Sequence, residues 1–244
     1  MDKNAIHKSD KHFWHNYINF YETFFQDRKI ESLAEIGIYK GDSIRWLMDR
    51  FPTATIYGAD ILPPQVQWPK SPRIRYTQLD QGSEDQLRAF LSQDKFDLII
   101  EDGSHHPEHQ ALGLILGLER LTSGGLYILE DVHTSHPNYK KRWLSNRKGN
   151  SLTVLLALAH YIRIKKDLAL ADIASIARGS IFSEAQVSNL YQSISDIQLY
   201  RRTTLPEWCY SCEQSDYNFS KLECRCGAPI FSDTDSMSFV ITVR

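Results

Sequence analysis

The chain has 244 residues and a formal net charge of −2, from 28 basic and 30 acidic side chains. Hydrophobic residues make up 42% and charged residues 24%, close to the averages for globular proteins, which excludes a disordered, collagen-like or coiled-coil chain. The balanced charge supplies no field that would attract nucleic acid or an anionic membrane, so neither is expected as a partner.

Two features of the sequence bear on where the protein works. The opening segment, Met1–Lys11, is polar and lacks the apolar stretch of a secretory signal. The longest apolar run, Val154–Ala159, is far shorter than the roughly 20 residues that a membrane-spanning helix needs. We therefore expect a cytoplasmic protein with no membrane partner.

The first half of the chain alternates between helical and strand-like patterns. Aromatic residues spaced three and four apart predict a helix over residues 12–29. Five apolar runs rich in β-forming residues follow: Ser32–Gly37, Ala54–Asp60, Arg73–Asp80, Phe96–Glu101 and Gly125–Glu130. Helical segments separate them: Gly41–Phe51, Ser83–Gln93 and His106–Leu121. This alternation predicts an α/β fold, a doubly wound and mostly parallel sheet covered by helices on both faces.

The second half completes the predicted sheet. A basic, polar loop is expected over 138–150, either as a solvated surface or as a clamp for an anionic group on a substrate. A helix is expected over 151–174, and two late strands over 194–201 and 236–243 bring the sheet to seven strands. The implied organisation is an N-terminal helical segment (1–30), a Rossmann-like core (31–136), a lid loop with helices (137–193), and a strand hairpin (194–244) with a Cys-rich insertion at 205–230.

The end of the first strand has the features of a cofactor-binding turn. Gly37 permits a tight turn, and Gly41 lets the next helix begin close to a ligand. Tyr39 stands where a dinucleotide fingerprint would have a second glycine, which argues against a bound pyrophosphate. Asp60 ends the second strand, where a carboxylate can accept both ribose hydroxyls, and Asp80 ends the third, near the expected adenine amino group.

This combination indicates a nucleoside cofactor without phosphates, which points to S-adenosylmethionine. The alternative is a structural glycine turn with ordinary carboxylates at the strand ends. The residues predicted to bind the cofactor are Glu35, Gly37, Tyr39, Gly41, Ser43, Asp60, Asp80 and Gln81.

The ends of the fourth and fifth strands carry the groups with catalytic potential. Asp102 and Asp131 would lie at the same level of two neighbouring strands. Neighbouring strands run about 4.8 Å apart, so the two carboxylates could share a cation. Oxygen ligands favour Mg²⁺, and Glu130 is a candidate for a third ligand. His105, on the loop after the fourth strand, has the residue type of a general base at neutral pH. The alternatives are strand-end caps for the two aspartates and a turn residue for His105.

The motif DGSH at 102–105 and the motif EDVHTS at 130–135, after a strand that begins with Gly124-Gly125, resemble the Mg²⁺-dependent sugar O-methyltransferases of macrolide biosynthesis (the mycinamicin and tylosin type). The segment from Ser9 to Tyr21 is similar to that family's opening segment. The resemblance covers roughly residues 9–136. It implies a class I S-adenosylmethionine-dependent methyltransferase, with Asp102 and Asp131 as metal ligands and His105 as the base that deprotonates the acceptor hydroxyl. It also implies that Gly37, Asp60 and Asp80 contact S-adenosylmethionine.

All four cysteines fall in one short segment: Cys209, Cys212, Cys224 and Cys226. Two close pairs of thiolates are typical of a tetrahedral zinc site, although the second pair is tighter than the usual C-x2-C. Disulfides and unlinked thiols are the alternatives; a reducing compartment disfavours the first. We expect structural Zn²⁺ that folds a small, loop-rich hairpin, acting as a lid or a docking surface.

Three hypotheses follow from these observations. The leading one is a metal-dependent O-methyltransferase acting on a sugar hydroxyl of a small molecule or glycan. The second is a methyltransferase for nucleic acid or protein with the Cys-rich hairpin as recognition element, which the near-neutral charge disfavours. The third is an inactive scaffold, which the set of Asp102, His105 and Asp131 disfavours. The sequence leaves the acceptor open, and a homo-oligomer is compatible with it.

Overall fold

A computed structural model describes residues 9–136, 139, 150–230 and 236–244. The strands are β1 (Ser32–Ile36), β2 (Thr55–Asp60), β3 (Ile74–Gln78), β4 (Phe96–Glu101), β5 (Leu121–Leu129), β6 (Ile194–Arg201), β7 (Tyr217–Asn218), β8 (Glu223–Cys224) and β9 (Met237–Val243). The helices are α1 (Asp10–Phe13), α2 (Tyr17–Phe25), α3 (Asp42–Arg50), α4 (Glu84–Leu91), α5 (Pro107–Leu118), α6 (Ser151–Arg163), α7 (Leu170–Arg178) and α8 (Glu184–Ser193). A short 3-10 helix spans Val132–Ser135.

Seven strands form one sheet in the order β3-β2-β1-β4-β5-β9-β6. The pairs among β1 to β5 are parallel, and β9 runs antiparallel to both of its neighbours. This is the Rossmann-like, mostly parallel sheet that the alternating pattern predicts. The late strand predicted over 194–201 coincides with β6, and the one predicted over 236–243 begins one residue later as β9.

Both faces of the sheet are buried at its central strands, whereas the edge strands β3 and β6 are partly exposed. Along β5, Tyr127 and Leu129 belong to one hydrophobic cluster, while Leu126 and Ile128 belong to the other. Successive side chains of a strand point to opposite faces, so a strand covered on both sides must be apolar at every position. The continuous apolar runs of the sequence reflect this burial.

Two predicted helices differ from the structure. The helix predicted over 12–29 is two helices, α1 and α2, because Asn16 adopts a left-handed conformation (φ 55°) that interrupts it. The helix predicted over 151–174 ends at Arg163, two residues before Lys165 at φ 51°, and α7 begins at Leu170. A left-handed residue cannot continue a right-handed helix, and the apolar periodicity does not reveal it.

Two further elements differ from the prediction. Helix α8 has no counterpart in the sequence-based prediction, and β5 begins at Leu121 rather than at Gly125. The basic loop predicted over 138–150 lies outside the described residues except for Tyr139 and Asn150. Within the described ranges, no helix combines the length and the apolar character needed to cross a bilayer.

Candidate active site

The glycine turn after β1 is forced by close backbone packing. Gly37 has φ 94°, and a Cβ added there would lie 1.9 Å from the carbonyl oxygen of Asp102. Its N–H donates to the Ala59 carbonyl oxygen on the opposite side, at 2.8 Å. Glycine is therefore required at this position, between β2 and the end of β4, and Gly41, at φ 81°, directly precedes α3.

Asp60 holds this turn in place. One carboxylate oxygen accepts hydrogen bonds from the N–H groups of Ile38 (2.8 Å) and Tyr39 (2.9 Å), and the other accepts from Leu62 N–H at 2.9 Å. A carboxylate offers about four acceptor positions, so capacity remains for a ligand hydroxyl. Asp60 lines the cleft described below, where the ribose role predicted for it would be performed.

Three other residues predicted to bind the cofactor, Glu35, Tyr39 and Ser43, lie in or near the glycine turn. Glu35 is fully buried, accepts a hydrogen bond from the Ser43 hydroxyl at 2.9 Å, and is not among the residues that line the cleft. Burial raises the pKa of Glu35 to about 7, against the opposing effects of Lys11 and Ser43. Ser43 and Tyr39 both line the cleft, and the Tyr39 side chain is 67% exposed.

The loop after β3 is tied to the end of β4. The Gln81 amide donates to Glu101 at 2.5 Å and accepts from the Ser104 N–H at 2.9 Å. Burial raises the pKa of Glu101 to about 8, although hydrogen bonds from Tyr127 and Gln81 act in the opposite direction. The exposed Asp80 side chain accepts from the Gly82 N–H at 2.9 Å and lines the cleft.

Asp102, His105 and Asp131 come together at the carboxyl ends of β4 and β5. One ligand atom from each lies within 4.8 Å of the others. The His105 Nε2 is 3.8 Å from Asp102 Oδ1 and 3.9 Å from Asp131 Oδ2. Both distances are too long for a hydrogen bond, so His105 is not bonded directly to either carboxylate and the three groups surround an open space.

The backbone at this site is strained. Tyr39, His105 and Asp131 have φ angles of 51°, 56° and 52°, in the left-handed region that side chains other than glycine rarely adopt. Each such residue costs of order 1 kcal/mol, and such residues cluster at functional sites. His105 and Asp131, two residues with this conformation, lie 3.9 Å apart between Nε2 and Oδ2.

A buried lysine from the N-terminal segment neutralises the acidic residues. Lys11 Nζ donates to Asp102 Oδ2 and, at 2.8 Å, to Glu130 Oε2, and it lies 3.8 Å from Glu35 Oε1. Burial opposes its charge, but the three carboxylates outweigh this effect and raise the pKa of Lys11. Sequence reasoning missed Lys11, since a lone lysine in a polar segment carries no pattern that predicts burial.

Lys11 determines which carboxylate oxygens remain available to a metal ion. Asp102 uses Oδ2 for Lys11, which leaves Oδ1 for the space beside His105. Glu130, predicted as a third metal ligand, is buried and bonded to Lys11, and lies outside the group of three potential ligands. Its Oε1 has no hydrogen-bond partner in the described part of the chain. A ligand role for Glu130 stays a prediction.

Aromatic residues from the same N-terminal segment surround Asp131. The Tyr17 hydroxyl donates to Asp131 Oδ1 at 2.7 Å, and the His15 ring stacks on Tyr17 at 4.7 Å. Burial would raise the pKa of Asp131, but the nearby rings of His15, His133 and His105, with the Tyr17 hydroxyl, hold it well below its usual range. Asp131 is therefore held as an anion, the form that binds a cation.

These groups share one open cleft of about 1180 Å³. It runs from the glycine turn, past Asp60 and Asp80, to the three residues at the ends of β4 and β5. The Cys-rich hairpin contributes Tyr210 and Glu213 to its lining. The cleft lies beyond the carboxyl ends of the parallel strands, where open α/β sheets bind ligands.

The four cysteines form a second compact group. Their sulfur atoms all lie within 4.8 Å of one another, with 3.8 Å between Cys209 and Cys226 and 3.5 Å between Cys212 and Cys224. All four thiols are free. Burial opposes ionisation of Cys209, but N–H groups of Ser211 and Cys212 outweigh it and lower its pKa to about 7.

Part of the chain is similar to a known family of domains. Residues 34–132 match the family model of a methyltransferase domain. With the order of the strands in the sheet, this match makes residues 34–132 similar to a methyltransferase domain.

Two curated proteins that are similar in sequence are methyltransferases that act on oxygen. The chain is 32% identical over 141 residues to 8-demethyl-8-α-L-rhamnosyl tetracenomycin-C 2′-O-methyltransferase of Streptomyces olivaceus, covering 53% of this chain and 36% of that protein. It is also 32% identical over 134 residues to mycinamicin VI 2″-O-methyltransferase of Micromonospora griseorubida, covering 51% of this chain and 33% of that protein. The chain thus resembles the macrolide and sugar O-methyltransferases, and the alignments span about a third of the length of these relatives.

A solved structure agrees with the sequence relatives. MycE methyltransferase from the mycinamycin pathway, in complex with Mg, SAH and mycinamycin VI, matches with a TM-score of 0.62 and 25% identity. The match covers 81% of this chain and 50% of that one.

Proposed function

We propose that the chain is an S-adenosylmethionine- and Mg²⁺-dependent O-methyltransferase that methylates a sugar hydroxyl of a small molecule or glycan. The observation that carries the proposal is the group of Asp102, His105 and Asp131 in one cleft with the glycine turn. The names of the relatives, which describe O-methylation of rhamnosyl and mycinamicin substrates, support the same chemistry.

The residues present fit a divalent cation. Asp102 Oδ1 and Asp131 Oδ2 both face the space beside His105, and hard oxygen donors are the ligands that Mg²⁺ prefers. We assign these two carboxylates to hold the ion, with Lys11 balancing the remaining negative charge. An ion there would polarise an acceptor hydroxyl and orient it toward the methyl donor.

His105 is the proposed general base. Its Nε2 faces the two carboxylates, and its Nδ1 has no hydrogen-bond partner among the described residues. The imidazole would take the hydroxyl proton while the acceptor oxygen attacks the methyl carbon of the sulfonium. The carbon–sulfur bond then breaks, and the electron pair stays on sulfur, giving a methyl ether, S-adenosylhomocysteine and a protonated His105. Much of the acceleration would come from holding donor and acceptor together in the cleft.

Asp131→Asn tests the metal assignment. We expect isothermal titration calorimetry with S-adenosylhomocysteine and Mg²⁺ to show both ligands bound by the native protein. The variant should retain S-adenosylhomocysteine and lose Mg²⁺, because an amide supplies no charge. Asp172→Asn, on the surface helix α7, is the control and should bind both. Equal Mg²⁺ affinity in Asp131→Asn and the native protein would contradict the assignment, and failure of S-adenosylhomocysteine to bind would contradict the cofactor.

We also propose that the four cysteines hold structural Zn²⁺. Zinc–sulfur bonds of about 2.3 Å in a tetrahedron give sulfur–sulfur distances near 3.8 Å, close to the two distances within the group. Gly227, at φ 87°, and its N–H bond to the Cys224 carbonyl support a turn around the second pair. Metal analysis of the purified protein should find about one zinc per chain, and Cys224→Ser should lower this content. A native protein without zinc would refute the proposal.

A further inference from the structure

The order and direction of the last strands place the Cys-rich hairpin (residues 205–230) near Asp131, at the carboxyl end of β5. Strand β6 ends at Arg201, opposite the start of β9 at Met237. Because β9 is antiparallel to β5, this end of the pair lies beside the carboxyl end of β5, next to Asp131. The hairpin joins β6 to β9 and therefore emerges at the edge that carries the active site.

The hairpin is fastened to the N-terminal segment by several contacts. The Glu207 N–H donates to the Phe13 carbonyl oxygen at 2.8 Å, and the Trp208 ring stacks on Phe13 at 4.7 Å with an angle of 16°. The rings of Tyr210 and Trp14 pack against each other at a tilt, with 5.9 Å between their centroids. Since Lys11, from the same segment, reaches the carboxylates, the hairpin and the segment form one wall of the cleft.

Tyr210 is a residue of this wall whose exposed surface could contact a ligand. Its side chain is 58% exposed, although it touches Trp14 and lines the cleft. Burial and then the negative charges of Asp10, Asp131 and Asp102, among others, raise the pKa of Tyr210, which reflects its position beside the acidic groups. Trp14 is fixed from another side by the buried Arg202 guanidinium, 4.7 Å from the ring centroid.

The wall combines aromatic rings with carboxylates. Trp14 and Tyr210 supply apolar faces, while Glu213 and Asp10, which also line the cleft, supply hydrogen-bond acceptors. A pyranose ring has a matching surface, because it exposes C–H groups on one face and hydroxyl groups around its rim. Binding sites of this kind gain contact area from aromatic rings and orientation from a few polar groups.

We propose that the Cys-rich hairpin is the acceptor-binding wall of the active site, with Tyr210 stacking against the sugar ring and Glu213 receiving its hydroxyl groups. This rests on the proposed function, since it assigns the subsite that holds the acceptor of that reaction. The four cysteines then shape specificity: they fix the loop that carries Tyr210 and Glu213, which is built around a bond from the Glu213 N–H to the Cys209 carbonyl oxygen at 2.8 Å.

The test uses methyl α-L-rhamnopyranoside as the probe, observed by saturation-transfer NMR with S-adenosylhomocysteine and Mg²⁺ present. The native protein should transfer saturation to the C–H protons of the sugar ring. Tyr210→Ala should weaken binding about 3- to 10-fold, the range expected for an aromatic contact, and Tyr210→Phe should retain it. Phe219→Ala is the control, because Phe219 is an exposed ring (64%) of the same hairpin outside the residues lining the cleft.

Three results would overturn the proposal: no transfer to the probe in the native protein, equal transfer in Tyr210→Ala, or equal losses in Tyr210→Phe and Tyr210→Ala. Calorimetry with S-adenosylhomocysteine on the same samples separates this outcome from failure of the proposed function. If the acceptor wall is wrong, every protein still binds S-adenosylhomocysteine; if the methyltransferase function is wrong, none does.

Discussion

Replacing Lys11 should expose how much the acidic site depends on one cation. Lys11 is 4% exposed in its side chain and contacts Asp102, Glu130 and Glu35, of which the two glutamates are almost fully buried. Lys11→Met keeps the length of the side chain but removes the charge. Removing one partner of a buried ion pair costs about 3–5 kcal/mol, because the remaining charge is left without compensation.

The expected loss is a large part of the total stability of a domain, about 5–15 kcal/mol. Urea denaturation followed by circular dichroism, with linear extrapolation to water, measures it directly. Lys29→Met is the matched control: Lys29 pairs with Glu31 at 2.6 Å, but its side chain is 81% exposed, so its removal should leave the free energy of unfolding unchanged.

A second variant checks the electrostatic reason for the loss. Adding Glu130→Gln to Lys11→Met removes one uncompensated carboxylate and should restore part of the lost stability. A Lys11→Met protein within about 1 kcal/mol of the native free energy of unfolding, the range of a surface pair, would refute the reasoning.

Two further predictions concern groups that support the site. Gly113→Ala should destabilise the protein by about 1–3 kcal/mol, since the new Cβ would lie 2.2 Å from a Glu101 carboxylate oxygen. Gly179→Ala should not, because its Cβ would lie 3.6 Å from the Ser175 carbonyl oxygen; denaturant titration compares the two variants. Tyr17→Phe should cost about 1–3 kcal/mol, because it removes the buried hydroxyl that donates to the partly buried Asp131, and a denaturation midpoint equal to that of the native protein would contradict this.

The sheet could be predicted because its pattern is local. Strands β1, β2 and β4 are short, mostly apolar runs, and burial on both faces leaves little choice of residue type at most positions. Strand β3, at the edge of the sheet, is only half-buried or exposed. The break at Asn16 could not be predicted in this way, since the aromatic periodicity continues across it from Trp14 to Tyr17. A left-handed residue changes the direction of the chain without changing its composition.

The candidate site was predictable in its strand-end residues and not in its N-terminal ones. Asp102, His105 and Asp131 follow apolar strands, so the parallel sheet itself brings them together. Lys11 and Tyr17 reach the same place from distant positions, through contacts that only the folded chain creates. Two signals could have directed attention to Lys11: buried carboxylates imply a neutralising cation, and the segment from Ser9 to Tyr21, which resembles the opening segment of the sugar O-methyltransferases, contains this lysine.

The most direct test of the account is transfer of the tritiated methyl group from S-adenosylmethionine to methyl α-L-rhamnopyranoside. The native protein should lose this activity with EDTA and regain it with Mg²⁺. His105→Ala should lower the rate about 10²- to 10⁴-fold, the usual contribution of a general base, while binding S-adenosylhomocysteine and Mg²⁺ as the native protein does. Methyl transfer that persists in EDTA, or a His105→Ala enzyme as fast as the native one, would contradict a metal-dependent reaction with His105 as its base.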